Sequence, residues 1–275
     1  MMVRLDNISV QYPNGVTALR NCTAEFKSGE FIVLLGQSGA GKSTLLRCLN
    51  GLVRPSKGRV VTASFGDIAE GNALQAHRRR TGMVFQNHHL IGRLSVLDNV
   101  LTGRLGHHTA WRTLLPLPRR DQQIALRAIE RVGLLEKALT RVDELSGGQQ
   151  QRVGVARALC QQPDLILADE PVASLDPATA AQVLESLRQI CATDGITAIV
   201  SLHQVDLARR FADQIVGMAD GAIVARATAS QLSPRMIDDI YRAGPQAGPE
   251  RPDKRQATPD APETSEQHAA MEALL

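Results

Sequence analysis

Hydrophobic and polar positions divide the first part of the chain into strands and one helix. Apolar and polar residues alternate in VRLDNISVQY, which predicts a half-buried strand that ends at a PNG turn. The wholly apolar stretch before GQSG, FIVLL, indicates a buried strand of a covered sheet. A helix is expected in KSTLLRCLNGL, closed by Gly51, and further strands are expected in GRVVTASF and RTGMVFQ.

The middle of the chain changes from strand to helix periodicity. From about residue 93 to 160 the pattern is helical, as in DQQIALRAIERVGLLEKAL. Strand patterns return in DLILADE and ITAIVSLH, with the helical ATAAQVLESLRQICATD between them. This alternation favours an α/β core with parallel strands, into which residues 93–160 are inserted as a mostly helical subdomain.

Composition changes again at about residue 244. The stretch GPQAGPERPDKRQATPDAPETSEQ is rich in Pro, Gly, Ala and charge, so it can bury too little apolar surface to offset its ordering entropy. We predict one folded domain over residues 1–243 and a disordered tail over 244–275. The final HAAMEALL could form a short helix that docks, or it could fray.

Overall composition excludes several classes of protein. The chain has 275 residues, 43% of them hydrophobic, which is enough to bury a sizeable core. Aromatic residues make up 3% and the net charge is only +3, so we expect no nucleic-acid partner. The start of the chain lacks an apolar signal region and no window reaches 18 apolar residues, so neither secretion nor a membrane span is expected. Four widely spaced cysteines favour reduced thiols over disulfides or a zinc site: Cys22, Cys48, Cys160 and Cys191.

The sequence GQSGAGKS, residues 36–43, fits the phosphate-binding pattern G-x-x-x-x-G-K-[ST] between a strand and a helix. Its glycines let backbone N–H groups face the phosphates of a nucleotide, Lys42 adds a positive charge, and the Ser43 hydroxyl can bind Mg²⁺. A glycine-rich turn that binds nothing is the alternative, which the flanking elements disfavour. The predicted nucleotide-binding residues are Gly36, Gln37, Ser38, Gly39, Ala40, Gly41, Lys42, Ser43 and Thr44.

Two carboxylates follow the apolar stretch LILA. Asp169 and Glu170 would lie at the carboxyl end of a buried strand, where open parallel sheets bind ligands. We predict that Asp169 binds Mg²⁺ and that Glu170 orients or deprotonates an attacking water. A solvated acidic pair or a charge at a helix start is the alternative.

A second helix start that could receive an anion lies in LSGGQQQR, residues 145–152. With GQSGAGKS before it and LILADE after it, this order resembles the ATP-binding subunit of ABC transporters over residues 1 to about 240. The resemblance implies a P-loop NTPase core of α/β class, with an N-terminal antiparallel β subdomain and an inserted α-helical subdomain. It also implies ATP and Mg²⁺ as the ligands.

The same resemblance assigns roles to residues that would otherwise carry none. It implies adenine stacking for Tyr12, a γ-phosphate contact for His203, and for Gln86 a link between the γ-phosphate and Mg²⁺ site and the helical subdomain. Asp176 matches the loop after Glu170, and the signature loop comprises Ser146, Gly147, Gly148 and Gln149. Taken singly, Tyr12 would be a surface or core tyrosine, Gln86 a loop amide and His203 a structural histidine. Asp176 could be a simple helix cap.

In this family two cassettes face each other head to tail. The resemblance therefore implies that the helix beginning near Ser146 points its N–H groups at the γ-phosphate bound by the P-loop of a second copy. Hydrolysis would then weaken the interface between the copies. A small-molecule kinase has no use for LSGGQ, and a chromosome-type ATPase would need a long coiled coil that this chain lacks.

Further stretches narrow the resemblance. RLSVLDNVLTGRLG, WRTLL, ILADEPVASLDP and DGITAIVSLHQVDLA are similar to the ATP-binding subunit of phosphonate importers. This implies uptake of phosphonates, phosphite or a related oxyanion at the cytoplasmic face of the inner membrane. The implied partners are two permease subunits, which would contact the region after Gln86 that contains Trp111, and a periplasmic substrate-binding protein. An importer of another cargo, or a cytosolic phosphonate-degrading complex, would share the ATP motifs.

Overall fold

The computed structural model describes residues 2–86, 89–109, 111 and 115–242. Its strands are β1 (Val3–Gln11), β2 (Thr17–Phe26), β3 (Phe31–Leu35), β4 (Lys57–Thr62), β5 (Gly66–Asp67), β6 (Thr81–Val84), β7 (Leu165–Ala168), β8 (Thr197–Leu202), β9 (Gln214–Ala219) and β10 (Ala222–Ala227). Its α-helices are α1 (Lys42–Leu49), α2 (Ala73–Arg79), α3 (Val96–Leu101), α4 (Arg119–Arg131), α5 (Gly147–Cys160), α6 (Pro177–Asp194), α7 (Val205–Phe211) and α8 (Pro234–Arg242).

The strands form two sheets. Antiparallel pairing gives a four-stranded sheet in the order β2-β1-β4-β5. The second sheet has the order β10-β9-β3-β8-β7-β6, in which the pairs from β9 to β6 are parallel and β10 is antiparallel to β9. The predicted antiparallel subdomain and parallel α/β core are therefore confirmed.

Periodicity did not assign the β9–β10 hairpin. Asp220 and Gly221 close this hairpin with φ angles of 48° and 77°. Asp-Gly is the pair that a two-residue turn of this hand favours, so the local signal was present in the sequence. The strand predicted in GRVVTASF is wrong at its end: it stops at Thr62, whose hydroxyl accepts a hydrogen bond from the Phe65 N–H at 3.1 Å within a turn.

Strand β3 explains how the core is divided. Phe31, Val33 and Leu35 belong to one apolar cluster, whereas Ile32 and Leu34 belong to the other. Side chains alternate across a strand, so β3 is buried on both faces, which is why its sequence is uninterruptedly apolar. The helices α5, α6 and α7 cover one face, and α1 with the antiparallel sheet covers the other.

The predicted helical insertion is confirmed by α3, α4 and α5, which pack on one another. A charged cluster is buried where they meet the core. Arg104 Nε donates to Asp121 Oδ1 at 2.9 Å, and His108 Nε2 lies 2.6 Å from Asp121 Oδ2. Burial alone would raise the pKa of Asp121, but the hydrogen bonds from His108 and Arg104 outweigh it and the pKa is lowered.

Other predictions concern cysteines, membranes and the tail. All four cysteines are buried free thiols, and burial raises the pKa of Cys48, Cys160 and Cys191 to about 12, so they pack as protonated core residues. Within the described ranges, none of the helices has both the length and the apolar content to cross a bilayer. The predicted tail, 244–275, lies outside the described residues, so the domain boundary at 243 stays a prediction.

The buried cluster generates a stability prediction. Asp121→Ala leaves the Arg104 guanidinium buried without its counter-charge, and we expect the free energy of unfolding to fall by about 3 kcal/mol. Urea unfolding measures this change. Asp143→Ala is the matched control, because it removes an exposed pair with Arg141 and should change stability little. Equal effects of the two substitutions would contradict the prediction.

Candidate nucleotide site

The loop between β3 and α1 has glycines where its backbone can approach a ligand closely. At Gly36 a Cβ atom would lie 2.4 Å from the Met218 carbonyl oxygen, so no side chain fits. Gly41 has φ +100°, and its Cβ would lie 2.7 Å from the Ala18 carbonyl oxygen. Gly41 precedes the first turn of α1 without a side-chain cap, which leaves N–H groups of that turn available to an anion.

Lys42 follows this loop as the first residue of α1 and is only 3% exposed. Its ammonium donates to the carbonyl oxygens of Gly36 at 2.8 Å and Gln37 at 2.9 Å. Burial lowers the pKa of Lys42, while the carboxylates of Glu170 and Asp169 oppose that shift. The loop therefore concentrates a positive charge and backbone donors at one point, which suits a phosphate group.

A hydrogen-bonded group of oxygens lies beside the loop. Asp169 Oδ1 accepts from the Ser43 hydroxyl at 2.8 Å and from the Ser201 hydroxyl at 3.0 Å. The Ser201 hydroxyl in turn accepts from the Glu170 N–H at 2.8 Å. Ser43 and Asp169 thus bring two hard oxygen donors together, and such donors suit Mg²⁺ when phosphate oxygens and water complete its shell.

Glu170 is held in an uncommon backbone conformation, with φ +47°. Non-glycine residues in this region carry strain that the surrounding structure must impose, and the bond to Ser201 is part of that restraint. Glu170 Oε1 lies 2.5 Å from His203 Nε2, and His203 Nδ1 lies 3.1 Å from the Gly36 carbonyl oxygen. The His203 ring therefore hydrogen-bonds one oxygen of the Glu170 carboxylate in this arrangement.

The signature sequence begins a second helix. Ser146 caps α5: its hydroxyl accepts from the Gln149 N–H at 3.4 Å, and Gln149 Oε1 accepts from the Ser146 N–H at 3.1 Å. This capping box leaves the first-turn N–H groups of Gly147 and Gly148 without an intrahelical acceptor. A Cβ at Gly148 would lie 2.7 Å from Thr179 Cγ2, so this glycine also lets α5 pack against α6.

Tyr12, Asp176 and Gln86 are the remaining predicted site residues. The Tyr12 hydroxyl lies 3.4 Å from Thr44 Oγ1, beside the start of α1. Asp176 accepts from the N–H groups of Ala178 at 3.1 Å and Thr179 at 3.0 Å, so it caps α6. Gln86 is exposed at the end of a described range.

The structure therefore separates two groups of predicted residues. Lys42, Ser43, Asp169, Glu170 and His203 meet at one edge of the parallel sheet. In the described part of the chain, no hydrogen bond connects that edge with the signature residues 146–149 or with Gln86. The second group needs another molecule, or a movement, to reach the first.

The family model described as ABC transporter matches residues 19–173, which is more than half of the chain. The chain belongs to the ABC transporter family. It is 62% identical over 240 residues to the phosphite import ATP-binding protein PxtA of Stutzerimonas stutzeri, and the match covers 87% of each chain. It is 53% identical over 274 residues to the phosphonates import ATP-binding protein PhnC 2 of Cupriavidus metallidurans, covering 99% of this chain and 96% of that protein.

A solved structure supports the same cassette fold. A dimeric ATP-binding cassette in a post-hydrolysis state, bound to ADP and inorganic phosphate, matches with a TM-score of 0.73 and 32% identity, covering 83% of this chain and 99% of that chain. The predicted family resemblance is confirmed, and with it the P-loop fold and ATP hydrolysis as the activity of the family. The cassette match with PhnC 2 also extends through nearly all of residues 244–275.

Ser201 is the site residue that motif analysis missed. It is fully buried and joins Asp169 to Glu170, yet it occurs as one polar residue near the end of the apolar strand ITAIVSL. A buried hydroxyl in such a strand needs partners, which is the signal that could have identified it.

Substitution of Ser201 tests this role. We expect Ser201→Ala to lower kcat for ATP hydrolysis about 10- to 100-fold, because it releases both Asp169 and Glu170 from their shared hydroxyl. Steady-state phosphate release measures it. Thr197→Val is the control on the same strand: it removes the acceptor of the Gly29 N–H at 2.9 Å, at the far end of β8, and should cost stability without slowing turnover. Full activity of Ser201→Ala would argue against the role.

Proposed function

We propose that this chain is the ATP-hydrolysing subunit of an ABC importer that takes up phosphonates, phosphite or a related small oxyanion. One observation carries this proposal: the buried Lys42 lies close to Asp169, Glu170 and His203 at one edge of the parallel sheet. The names of relatives at 62% and 53% identity support the choice of cargo. They also favour import over the degradation of phosphonates.

We assign Mg²⁺ to the oxygens of Ser43 and Asp169, with Gln86 as a further ligand from the helical side. The 2.8 Å bond between Ser43 and Asp169 supports the first two, because the pair already places its oxygens together. A bound Mg²⁺ would supply charge neutralisation at the β- and γ-phosphates. Gln86 is exposed, so its contribution requires it to move inward.

Glu170 serves as the base or orienting group for water, and His203 as the γ-phosphate contact. The contact between His203 Nε2 and Glu170 Oε1 supports a switch, since this ring nitrogen can bind either the carboxylate or a phosphate oxygen. While His203 is bound to Oε1 of Glu170, that oxygen is not free to accept a proton from water. Transfer of the His203 hydrogen bond to a γ-phosphate oxygen frees Glu170 for that step. We assign adenine stacking to Tyr12, which the contact of its hydroxyl with Thr44 near the start of α1 supports.

The dimer completes the site. Because the signature residues lie apart from the chain's own P-loop, we assign the free N–H groups of Gly147 and Gly148 to the γ-phosphate bound by a second copy. The dimeric state of a cassette at 32% identity supports this assignment. Asp176 caps α6 at the turn that packs against Gly148, and we assign it a supporting role in the same dimer contact.

Further partners follow from the importer assignment. Two permease subunits would hold the cassettes at the cytoplasmic face of the inner membrane, with a periplasmic substrate-binding protein delivering the cargo. The exposed Trp111, Leu105 and Leu115 support a permease contact on the helical subdomain, since they present apolar surface there.

Mixing two inactive variants tests the shared site. Lys42→Ala removes the P-loop charge, and Ser146→Asp keeps a good helix cap but sets a carboxylate against the phosphate. We expect each variant alone to hydrolyse ATP about 100-fold more slowly than wild type. In a mixed dimer both lesions fall on one composite site, so the other site is intact. About half of the dimers in an equimolar mixture are mixed, so about a quarter of all sites should regain activity.

The mixing result has a clear contrary outcome. The control is a mixture of the double variant Lys42→Ala/Ser146→Asp with either single variant. No ATPase activity should recover in that mixture, because none of its sites is intact. If the two single variants never recover activity after subunit exchange, while exchange itself is demonstrated by labelled subunits, the signature loop does not act on the partner's nucleotide.

Uptake tests the cargo. Deleting the gene should abolish uptake of labelled methylphosphonate or phosphite and growth on either as sole phosphorus source, but not growth on inorganic phosphate. The wild-type gene should restore uptake and the Lys42→Ala gene should not. Persistent uptake with loss of phosphonate cleavage would instead support the degradative complex. Unchanged uptake and growth would contradict both.

A further inference from the structure

The last described residues of the chain touch the nucleotide site. The Tyr241 hydroxyl, near the end of α8, donates to the carbonyl oxygen of His203 at 2.5 Å. The backbone carbonyl oxygen of the same tyrosine accepts a hydrogen bond from the side-chain amide of Gln37 in the P-loop. One residue of α8 therefore connects the loop after β8 with the loop after β3.

Helix α8 is held against the protein by packing and by a hydrogen bond at its start. Ile240, beside Tyr241, is 1% exposed and packs on β9 at Gly217, where a Cβ would lie 2.4 Å from Ile240 Cδ1. The segment leading into the helix is held by Arg209, whose guanidinium donates to the Leu232 carbonyl oxygen at 3.0 Å. The glycine at 217 thus allows α8 to approach the sheet closely.

The Tyr241 hydroxyl can act as a hydrogen-bond donor at any pH near neutrality. Burial raises the pKa of its phenol, so the hydroxyl stays protonated throughout the neutral range. Its acceptor is the backbone of the residue whose ring contacts both Glu170 and Gly36. A hydrogen bond to that carbonyl restricts the backbone from which the His203 ring projects.

We propose that Tyr241 is a positioning residue for ATP hydrolysis, which holds the His203 backbone through its hydroxyl and the P-loop through its carbonyl. This inference rests on the proposed function, since it takes His203 and Glu170 to serve in hydrolysis. Tyr241 acts through His203 and touches no reacting atom. The hydroxyl governs turnover and the carbonyl supports nucleotide binding, so the two roles are separable by substitution.

Tyr241→Phe removes the hydroxyl and keeps the ring, the helix and the carbonyl. In the full-length chain we expect kcat for ATP hydrolysis to fall about tenfold, with KM for ATP within about twofold of wild type. The pH dependence of kcat should also change, because the His203–Glu170 pair is less well held. In a His203→Ala background the substitution should have no further effect on the residual rate.

Ile237→Ala provides the matched control on the same helix. Ile237 packs against the core without a hydrogen bond to either loop, so its truncation should lower the melting temperature at least as much as Tyr241→Phe. Below that temperature it should leave kcat and its pH profile unchanged. This comparison separates positioning from simple support of the fold.

Two results would overturn the inference. One is a Tyr241→Phe protein with wild-type kcat and pH profile. The other is a loss of kcat in both variants that follows their loss of thermal stability, which would make α8 merely structural. A wild-type chain that hydrolyses no ATP at all would remove the proposed function itself, and that outcome is distinguished because it appears before any variant is compared.

Discussion

The Asp169 carboxylate, held by the Ser43 and Ser201 hydroxyls, is the interaction on which the site depends. Ser43 belongs to α1, Asp169 follows β7 and Ser201 lies near the end of β8, so one carboxylate oxygen joins a helix to the ends of two neighbouring strands of the parallel sheet. Because Asp169 is 5% exposed, its charge would be costly without these donors and the nearby lysine. The same bonds that satisfy the buried charge also place the oxygens suited to Mg²⁺.

A second constraint acts on the neighbouring residue. Glu170 takes a left-handed backbone conformation while its N–H is bound by Ser201 and its carboxylate by His203. The strain is sustained by a hydrogen-bond network that the core stabilises. In the proposed function, a γ-phosphate replaces Glu170 as the partner of His203. Arrangements of this kind favour a switch, because a few hydrogen bonds decide which of two partners the histidine keeps.

The helix that begins with the signature sequence, α5, keeps unsatisfied backbone donors at its start. Its hydroxyl cap is satisfied within α5, but its first backbone donors are left for a ligand, and α5 packs on α6 through Gly148. Hence the helix is stable by itself while its anion-receiving end remains available. The proposed dimer uses this property: a donor set that the chain cannot direct at its own P-loop can serve the P-loop of another copy.

The fold class, the P-loop, the acidic pair after LILA and the helical insertion could be predicted from the sequence. These depend on local periodicity and on motifs whose residues are contiguous, as in GQSGAGKS and LSGGQ. Ser201 and Tyr241 escaped that analysis. Each is a single polar residue in an apolar or amphipathic stretch, and each gains meaning only from contacts with residues distant along the chain.

Which of the predicted residues lie together depends on the pairing of the strands. Parallel pairing of β3, β8 and β7 brings their carboxyl ends to one edge, and so joins Lys42 with His203 and Ser43 with Asp169 across more than a hundred residues of sequence. The same pairing leaves the signature residues on a separate helix. Local patterns encode each element, but the hydrogen-bond register between strands sets the distances between their ends.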